Sequence, residues 1–409
     1  MSKEMKNVYR FVLMVWALSL ALTAKCAQHW VATWATSPQL VEPHNLPPAP
    51  GLAGNSLRQI VQVSIGGSQL RLTLTNEFSR DSTEIVAVEV AKALTGGSAA
   101  TIDESTVKTV TFSGSKRITI AGGQVATSDP VDFAVAPRQN VAITIHYGKC
   151  SDKVITGHPG SRTTSYLAAG HTSDFTKAVP TNHWYNLRRM AVLAGEKACA
   201  VAVLGNSITD GRGSTTNGQD RWPDMLSRSL LANKATSQVG VLNLGIGGNC
   251  VLQGGLGPTG NNRFLRDCID QPGVKYVILF EGINDLGGSR DGVQTAHALI
   301  AAFRQMIRQC HEKGLWVYGA TITPFHKNSY YSEHHEAGRQ LFNEWVRNSG
   351  EFDAVIDFDR VVRNPQDTIT LDERFLFEND YLHPNAAGYK LMGESVDVKL
   401  FQRKDRPVK

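Results

Sequence analysis

A serine stands directly after a short apolar run, in the segment Leu204-Gly205-Asn206-Ser207-Ile208-Thr209-Asp210-Gly211. A nucleophilic serine needs an exposed hydroxyl and a nearby backbone N–H that can bind a developing oxyanion, and a strand-to-helix turn supplies both. The alternative is that Ser207 only caps a helix, and the segment alone leaves this open. The segment is not a phosphate-binding loop, because no Gly-Lys-Ser/Thr follows at the required spacing.

A base for such a serine is found near the C-terminus, in Asp380-Tyr381-Leu382-His383-Pro384-Asn385. An aspartate three residues before a histidine can accept a hydrogen bond from one imidazole nitrogen and leave the other nitrogen for a serine. The alternative is an ordinary surface histidine. Asp380 and His383 are therefore a candidate orienting acid and general base.

Two further segments could stabilise negative charge. In Asn243-Leu244-Gly245-Ile246-Gly247-Gly248-Asn249, a glycine N–H could face a substrate. This segment lacks the last glycine of a dinucleotide-binding loop, whose place Cys250 takes. In Glu281-Gly282-Ile283-Asn284-Asp285, the amide of Asn284 could donate to an oxyanion. For both segments the alternative is an ordinary turn.

The elements around these segments predict how they meet. From about Ala198 onward, apolar runs rich in β-branched residues alternate with helix-like stretches, which is typical of a parallel sheet covered on both faces. Three polar segments directly follow such runs, at 205–213, 245–250 and 282–288. Because reactive groups in open α/β sheets lie beyond the carboxyl ends of strands, we expect these segments to converge.

The upstream region, from about 57 to 147, has the period of two expected of strands. Alternating apolar residues at 61–65 and 70–74 flank Gly66-Gly67 and predict a β-hairpin with a glycine turn. Further short runs lie at 85–90, 107–112, 117–120 and 141–146. Short strands with frequent turns predict an antiparallel sandwich.

Together, the four polar segments resemble those of the SGNH (GDSL-type) hydrolases, a superfamily of serine hydrolases named for Ser, Gly, Asn and His in four separate segments. The resemblance implies that Ser207 is the nucleophile and that Asp380 and His383 are the orienting acid and the base. It also implies an oxyanion hole formed by Ser207, Gly248 and Asn284. The resemblance covers roughly half of the chain, from about residue 198 to the C-terminus.

One position departs from the family pattern, because Asn206 stands where the first segment usually has Asp. The nucleophile is retained, but the departure puts in doubt the loop-stabilising contacts that an aspartate would make. We expect an active protein whose rate or pH range is altered.

The upstream segments 30–38, 57–59 and 156–162 resemble a subgroup of these hydrolases in which a β-rich region precedes the serine. Members of that subgroup are often assigned to carbohydrate-linked or aryl esters. The implied fold class is α/β, an SGNH-type three-layer sandwich with a mostly parallel sheet, preceded by a β-sandwich-like N-terminal domain. The predicted domains are a signal peptide at 1–27, a β-rich domain at 28–190 and a catalytic domain at 191–409.

We therefore expect a secreted serine esterase that hydrolyses carboxylic esters, with O-acetyl groups on plant-type polysaccharides or oligosaccharides as substrate. One alternative is a lipolytic or aryl esterase or a thioesterase. Another is a carbohydrate-binding protein with an inactive hydrolase scaffold, binding through Trp30, Trp34 or Trp184. A metal-dependent hydrolase is the third. The expected mechanism needs no metal and no cofactor, and the run His334-His335-Glu336 is predicted to be a helix surface.

The first residues predict export to the periplasm or the extracellular space, because a basic start precedes an apolar run of about 12 residues and then small residues. That run is too short to span a membrane. A lipoprotein anchored at Cys26 is the alternative, disfavoured by Lys25 directly before it. Removal of residues 1–27 lowers the formal net charge from +5 to +2, and no basic cluster predicts a nucleic-acid partner. The sequence leaves the oligomeric state open.

Five cysteines follow the leader, at 150, 199, 250, 268 and 310. An exported protein permits disulfides. Cys250 and Cys268 flank a glycine-rich loop and are the predicted pair, with Cys310 as a free thiol. The alternative is that all five are small buried apolar residues.

Overall fold

The computed structural model describes residues 28–94 and 100–406. The predicted signal peptide, with Cys26, lies outside these residues. Within them the chain has an antiparallel β-rich part followed by a parallel α/β part.

The β-rich part consists of short strands, in keeping with the period of two in its sequence. These strands are β1 (Gln28–Ala35), β2 (Gln39–Leu40), β3 (Ser56–Gln62), β4 (Leu70–Thr75), β5 (Thr83–Lys92), β6 (Lys108–Val110), β7 (Ile118–Ile120), β8 (Val125–Thr127), β9 (Asn140–Tyr147), β10 (Thr156–His158), β11 (Ser165–Ala168), β12 (Val179–Thr181), β13 (Trp184–Tyr185) and β14 (Leu187–Gly195). In the described residues they form three sheets, with the orders β1-β14-β4-β8, β13-β10-β2 and β12-β11-β3-β9-β5-β6, and β7 also pairs with β5. Every pairing in these sheets is antiparallel.

The predicted hairpin around Gly66-Gly67 is wrong. Strand β3 pairs with β9 and β11, whereas β4 pairs with β14 and β8, so the two strands belong to different sheets. Between them the backbone of Gly67 bridges Val135 instead of closing a two-residue turn. The alternation of apolar residues predicts strands correctly, but it does not determine which strand each one pairs with.

The α/β part alternates strands and helices as the sequence predicts. Its strands are β15 (Cys199–Gly205), β16 (Val239–Gly245), β17 (Val274–Phe280), β18 (Trp316–Ala320) and β19 (Ala354–Ile356). Its α-helices are α1 (Ser207–Asp210), α2 (Trp222–Ala232), α3 (Gly260–Phe264), α4 (Ile283–Gly287), α5 (Gly292–Glu312), α6 (Glu333–Asn348), α7 (Phe358–Val362) and α8 (Ala386–Ser395). A π-helical turn, Leu265–Ile269, continues α3. The result is a three-layer sandwich.

The two long helices begin and pack as their sequences dictate. Asp291 caps α5 by accepting the N–H of Gln294, and Ser332 caps α6 by accepting the N–H of His335. Apolar residues of α5 recur every three or four positions, so one face of the helix is buried against α6 and β18. Helix α5 thereby covers β18, and α6 packs on α5.

The parallel sheet has the order β16-β15-β17-β18-β19. Strand β15 therefore lies between the next two strands of the chain, one on each side. This is the topological switch point at which open α/β sheets bind their ligands, beyond the carboxyl ends of the strands. The segments that follow β15, β16 and β17 converge here, which confirms the expected placement.

The β-rich part packs directly against the edge strand β16. The hydroxyl of Ser64 accepts the N–H of Val241 at 3.0 Å, and Ser37 donates to the carbonyl of Leu244 at 3.1 Å. One cluster of buried apolar side chains continues through both parts of the chain. Strand β14 extends to Gly195, across the predicted domain boundary after residue 190.

The predicted disulfide between Cys250 and Cys268 is wrong, because both thiols are free. Cys250 lies against the backbone of Gly255, and Cys268 is enclosed in the π-helical turn. Both are buried, and burial raises the pKa of Cys250 to about 12. The alternative of small buried residues fits these two and Cys310. Among residues 28–94 and 100–406, none of the helices combines the length and apolar character of a membrane span.

Candidate active site

Ser207 is the first residue of α1, immediately after the carboxyl end of β15. Asn206 has an extended backbone and caps the helix, since its Oδ1 accepts the N–H of Ile208 at 3.0 Å. The cap is therefore made by Asn206, and Ser207 is left with its hydroxyl directed elsewhere. The helix-cap alternative for Ser207 does not apply.

A hydrogen-bonded relay joins the serine to the C-terminal loop. The Ser207 Oγ and His383 Nε2 are 2.8 Å apart, and His383 Nδ1 lies 2.6 Å from Asp380 Oδ2. The other carboxylate oxygen of Asp380 accepts the backbone N–H groups of Leu382 and His383, at 2.9 and 2.8 Å. The carboxylate thus fixes both the loop and the tautomer of the imidazole, so Nε2 can accept the serine proton.

The electrostatic surroundings keep the imidazole neutral. Burial lowers the pKa of His383 below its ordinary value of 6.5, while Asp380 opposes this and the positive charges of Arg212 and Arg162 reinforce it. Burial alone would raise the pKa of Asp380, but its hydrogen bonds from His383 lower it. An ionised carboxylate beside a neutral imidazole is the state required of a general base.

The three predicted oxyanion donors, on Ser207, Gly248 and Asn284, line one pocket. The backbone N–H groups of Ser207 and Gly248 donate to no acceptor within the part of the chain that the structure describes. Gly248 has a φ of +68°, a left-handed conformation that favours glycine, and it lines the same pocket as Ser207. The Asn284 Nδ2 donates to the carbonyl of Asn249 at 2.8 Å, which leaves its second hydrogen available.

These residues line one open pocket of about 570 Å³. Ser207, Gly248, Asn284, Asp380 and His383 all contribute to it. Its wall includes residues of the β-rich part, which are Gln39, Glu42, Asn45, Pro159, Gly160, Arg162 and His183. The two parts of the chain therefore form the pocket together.

A histidine and an arginine of the β-rich part contact the nucleophile turn. Asp210, the last residue of α1, is buried, and its carboxylate lies 2.9 Å from His158 Nε2 and 3.2 Å from a terminal guanidinium nitrogen of Arg162. His158 is anchored in turn on the carbonyl of Ser37. These contacts join residues 48 to 121 positions apart, and the only sequence signal for them is the resemblance of 156–162 to a connecting stretch.

A buried polar cluster lies behind the turn. The Asn206 Nδ2 donates to Glu281 Oε2 at 3.0 Å, and the other oxygen of Glu281 faces the guanidinium of Arg263. Burial raises the pKa of Glu281 to about 8, against the opposing charge of Arg263. Asn206 therefore accepts at one end of its amide and donates at the other. An aspartate could make the cap but would bring a second carboxylate against Glu281.

Replacement of Asn206 by Asp is accordingly expected to make stability more sensitive to alkaline pH. Two carboxyl groups about 3 Å apart cannot both ionise, so one would keep its proton in the folded state beyond the pKa of about 8 of Glu281. In the unfolded chain both carboxyl groups have a pKa near 4, so above that pH the unfolded chain binds fewer protons than the folded one. Stability therefore falls as pH rises from about 4 toward the raised pKa of the folded state. We expect a loss of about 1–3 kcal/mol at pH 8, measured by urea unfolding.

The matched control is the double variant Asn206→Asp with Glu281→Gln, whose amide can donate to the new carboxylate. Its stability should decline less between pH 5 and pH 8 than that of the single variant. Parallel stability profiles for Asn206→Asp and the parent would contradict this account of the cluster.

The run His334-His335-Glu336 lies in the first turn of α6, but the predicted helix surface holds only for His334, because His335 is half-buried and Glu336 is buried in an ion pair with Arg339. His335 contacts the carbonyls of Tyr330 and Ser289, at 2.6 and 3.0 Å, so it holds two loops together. Within the described residues, no group of three or more His, Cys, Asp or Glu side chains is arranged to hold a metal ion.

The parallel sheet with its helices is the fold expected of an SGNH hydrolase. Residues 203–391 match the sequence model of the GDSL-like lipase/acylhydrolase family. The part of the chain covered by this match therefore belongs to the SGNH hydrolase superfamily. No curated protein matches the sequence.

Several solved structures are similar to about half of the chain. A lipase/acylhydrolase from Enterococcus faecalis is 21% identical, with 50% of this chain and 95% of that chain covered and a TM-score of 0.39. A member of the lipolytic protein G-D-S-L family from Veillonella parvula is 20% identical, with 51% and 100% covered and a TM-score of 0.34. Est24, a carbohydrate acetylesterase from Sinorhizobium meliloti, is 13% identical, with 50% and 98% covered and a TM-score of 0.36.

Proposed function

We propose that this protein is an exported serine esterase that removes short acyl groups, O-acetyl above all, from polysaccharides or oligosaccharides. The observation that supports it best is the relay from Ser207 through His383 to Asp380, which opens on a polar pocket beside unoccupied N–H donors. Export rests on the leader at 1–27.

The proposed reaction is a two-step acyl transfer. His383 takes the proton of Ser207, whose oxygen attacks the ester carbonyl, while the N–H groups of Ser207 and Gly248 and the Asn284 amide bind the oxyanion. His383 then gives the proton to the leaving alcohol. Water, deprotonated by His383, attacks the acyl-enzyme, and the acid leaves as Ser207 regains its proton.

The pocket lining favours a polar alcohol over a lipid. Its polar side chains outside the relay and the oxyanion donors are Gln39, Glu42, Asn45, Arg162, His183, Asp210, Arg212, Asn328 and Tyr330. The aliphatic side chains among the lining residues are those of Pro159, Leu256 and Leu382. A long acyl chain would gain little from such walls, because its binding depends on apolar area removed from water. Hydroxyl groups of a sugar would find many hydrogen-bond partners.

The carbohydrate-binding alternative without catalysis has less support. Trp34 and Trp184 are buried and pack edge to face, with ring centroids 5.0 Å apart. Trp30 is half-buried, and its ring is covered by the guanidinium of Arg71 at 4.5 Å. These rings are engaged within the protein, so they form no open platform on which a sugar could stack.

The test is acetate release from acetylated xylan by the purified protein and its Ser207→Ala variant. Removing the nucleophile should reduce kcat roughly 10⁴- to 10⁶-fold. In parallel, p-nitrophenyl acetate should be cleaved with a much higher kcat/KM than p-nitrophenyl palmitate. Equal turnover by parent and variant would exclude Ser207 as nucleophile. A preference for palmitate would replace the carbohydrate proposal with the lipolytic one.

A further inference from the structure

The Asn284 amide has a defined orientation. Its nitrogen must face the carbonyl of Asn249, since that oxygen only accepts, and the two atoms are 2.8 Å apart. The Asn284 Oδ1 then faces the opposite way, where the hydroxyl of Tyr330 donates to it at 3.1 Å. Both ends of the amide are thus engaged, and one N–H hydrogen has no acceptor among the described residues, beside the pocket that contains Ser207.

Tyr330 is itself held by the loops of the site. Its backbone N–H donates to Asn328 Oδ1 at 2.9 Å, and the amide nitrogen of Asn328 donates to the carbonyl of Asp380 at 2.7 Å. The carbonyl of Tyr330 is contacted by His335. The residue that bonds Asn284 is therefore fixed to the same loop that carries the orienting acid.

The aromatic ring is placed by a close approach to α4. A Cβ added to Gly287 would lie 2.3 Å from the Cγ of Tyr330, so only glycine lets the ring rest on the helix that carries Asn284. Burial raises the pKa of the Tyr330 phenol above its ordinary value, so the hydroxyl keeps its proton and can donate. The hydroxyl and the amide are held in one rigid arrangement.

We propose that Tyr330 is a positioning residue that aims the Asn284 amide at the oxyanion, an inference that rests on the proposed function. Without the hydroxyl, Oδ1 loses its donor and the amide can rotate away from the oxyanion position. The oxyanion exists in the transition state and not in the bound ester, so the loss falls on kcat and leaves KM nearly unchanged.

The test is Tyr330→Phe, assayed on p-nitrophenyl acetate beside the parent. We expect kcat to fall about 10- to 100-fold, with KM changed by less than about 3-fold. The matched control is Tyr331→Phe, because within the described residues the neighbouring hydroxyl makes no hydrogen bond and its ring packs on Phe325 and His326. That variant should keep the parent kcat.

A double-mutant cycle with Asn284→Ala separates positioning from a general structural effect. Loss of the amide alone should lower kcat roughly 10²- to 10³-fold. In that background Tyr330→Phe should lower kcat no further, because the group it positions is gone. An equal fold-loss in both backgrounds, or no loss in the parent background, would overturn the inference.

Gly287→Ala provides a second route, since it displaces the ring and keeps the hydroxyl. It should lower kcat in the parent and have little further effect on kcat beside Asn284→Ala. Additive losses here would also count against the inference. If the proposed function itself is wrong, the parent will show no turnover that depends on Ser207. That result differs from every outcome described above for the Tyr330 and Gly287 variants.

Discussion

Replacing Arg263 by Met is expected to destabilise the protein by about 3–5 kcal/mol, because it removes one partner of a buried charge cluster. The guanidinium is fully buried and donates to the carbonyls of Gly205 and Leu244, at 2.9 and 2.6 Å, and to Asn249 Oδ1 at 2.9 Å. It also faces the carboxylates of Asp267 and Glu281. Without it each of these buried acceptors would lose a donor, and both buried carboxyl groups would lose a neighbouring positive charge.

The variant should also be less active, since Gly205 and Leu244 belong to the ends of β15 and β16 and Asn249 to the loop after β16, next to Gly248. Urea unfolding of the parent and Arg263→Met would measure the loss. The matched control is Arg304→Met, which removes an arginine that forms a largely exposed bidentate pair with Glu351. This variant should have nearly the same urea midpoint as the parent. An Arg263→Met cost below about 1 kcal/mol would refute the role of the cluster.

Arg263 shows what the sequence could not predict. It lies in α3, in a segment with no recognisable motif, and it reaches Ser37, 226 positions away, at 3.0 Å. The same holds for Tyr330, whose partner Asn284 is 46 positions away on another loop. A side chain that stabilises through several distant partners leaves no periodic or local signal, so only the folded chain reveals it.

The four polar segments could be predicted because their chemistry and their place coincide. Ser207, Gly248 and Asn284 each follow a strand of the parallel sheet, and parallel strands present their carboxyl ends at one edge. His383 and Asp380 carry a local signal, since their spacing allows a hydrogen bond within one loop. Strand order was not needed to place these residues together.

The sequence did not indicate which strands pair with each other in the β-rich part, or which residues surround each cysteine. The strands around Gly66-Gly67 were predicted correctly as strands, but they belong to different sheets because their best partners come from β9 and β14. Cys250 and Cys268 are close in sequence, yet each is buried among other neighbours. Both predictions rested on the idea that segments close in sequence are also close in space. In this fold, strands and loops that are close in sequence pack against more distant parts of the chain.

Replacing Asp380 by Asn is expected to lower kcat about 10⁴-fold while leaving the loop folded. The oxygen of the new amide can still accept the N–H groups of Leu382 and His383, which Asp380 Oδ1 accepts now. The nitrogen of that amide would then face His383 Nδ1 and donate to it. The imidazole would have to carry its proton on Nε2, which would donate to Ser207 and could no longer take its proton.

The pH dependence of this variant distinguishes a wrong tautomer from a disturbed fold. In the parent, burial lowers the pKa of His383, so kcat/KM should rise with pH through a limb below 6.5 as the imidazole loses its proton. Asp380 raises that pKa, so Asp380→Asn should move the limb to still lower pH and keep a reduced plateau. Asp372→Asn, in the same loop but outside the pocket, should retain the parent limb and kcat. Parent-like kcat in Asp380→Asn would mean that the carboxylate does not orient the base.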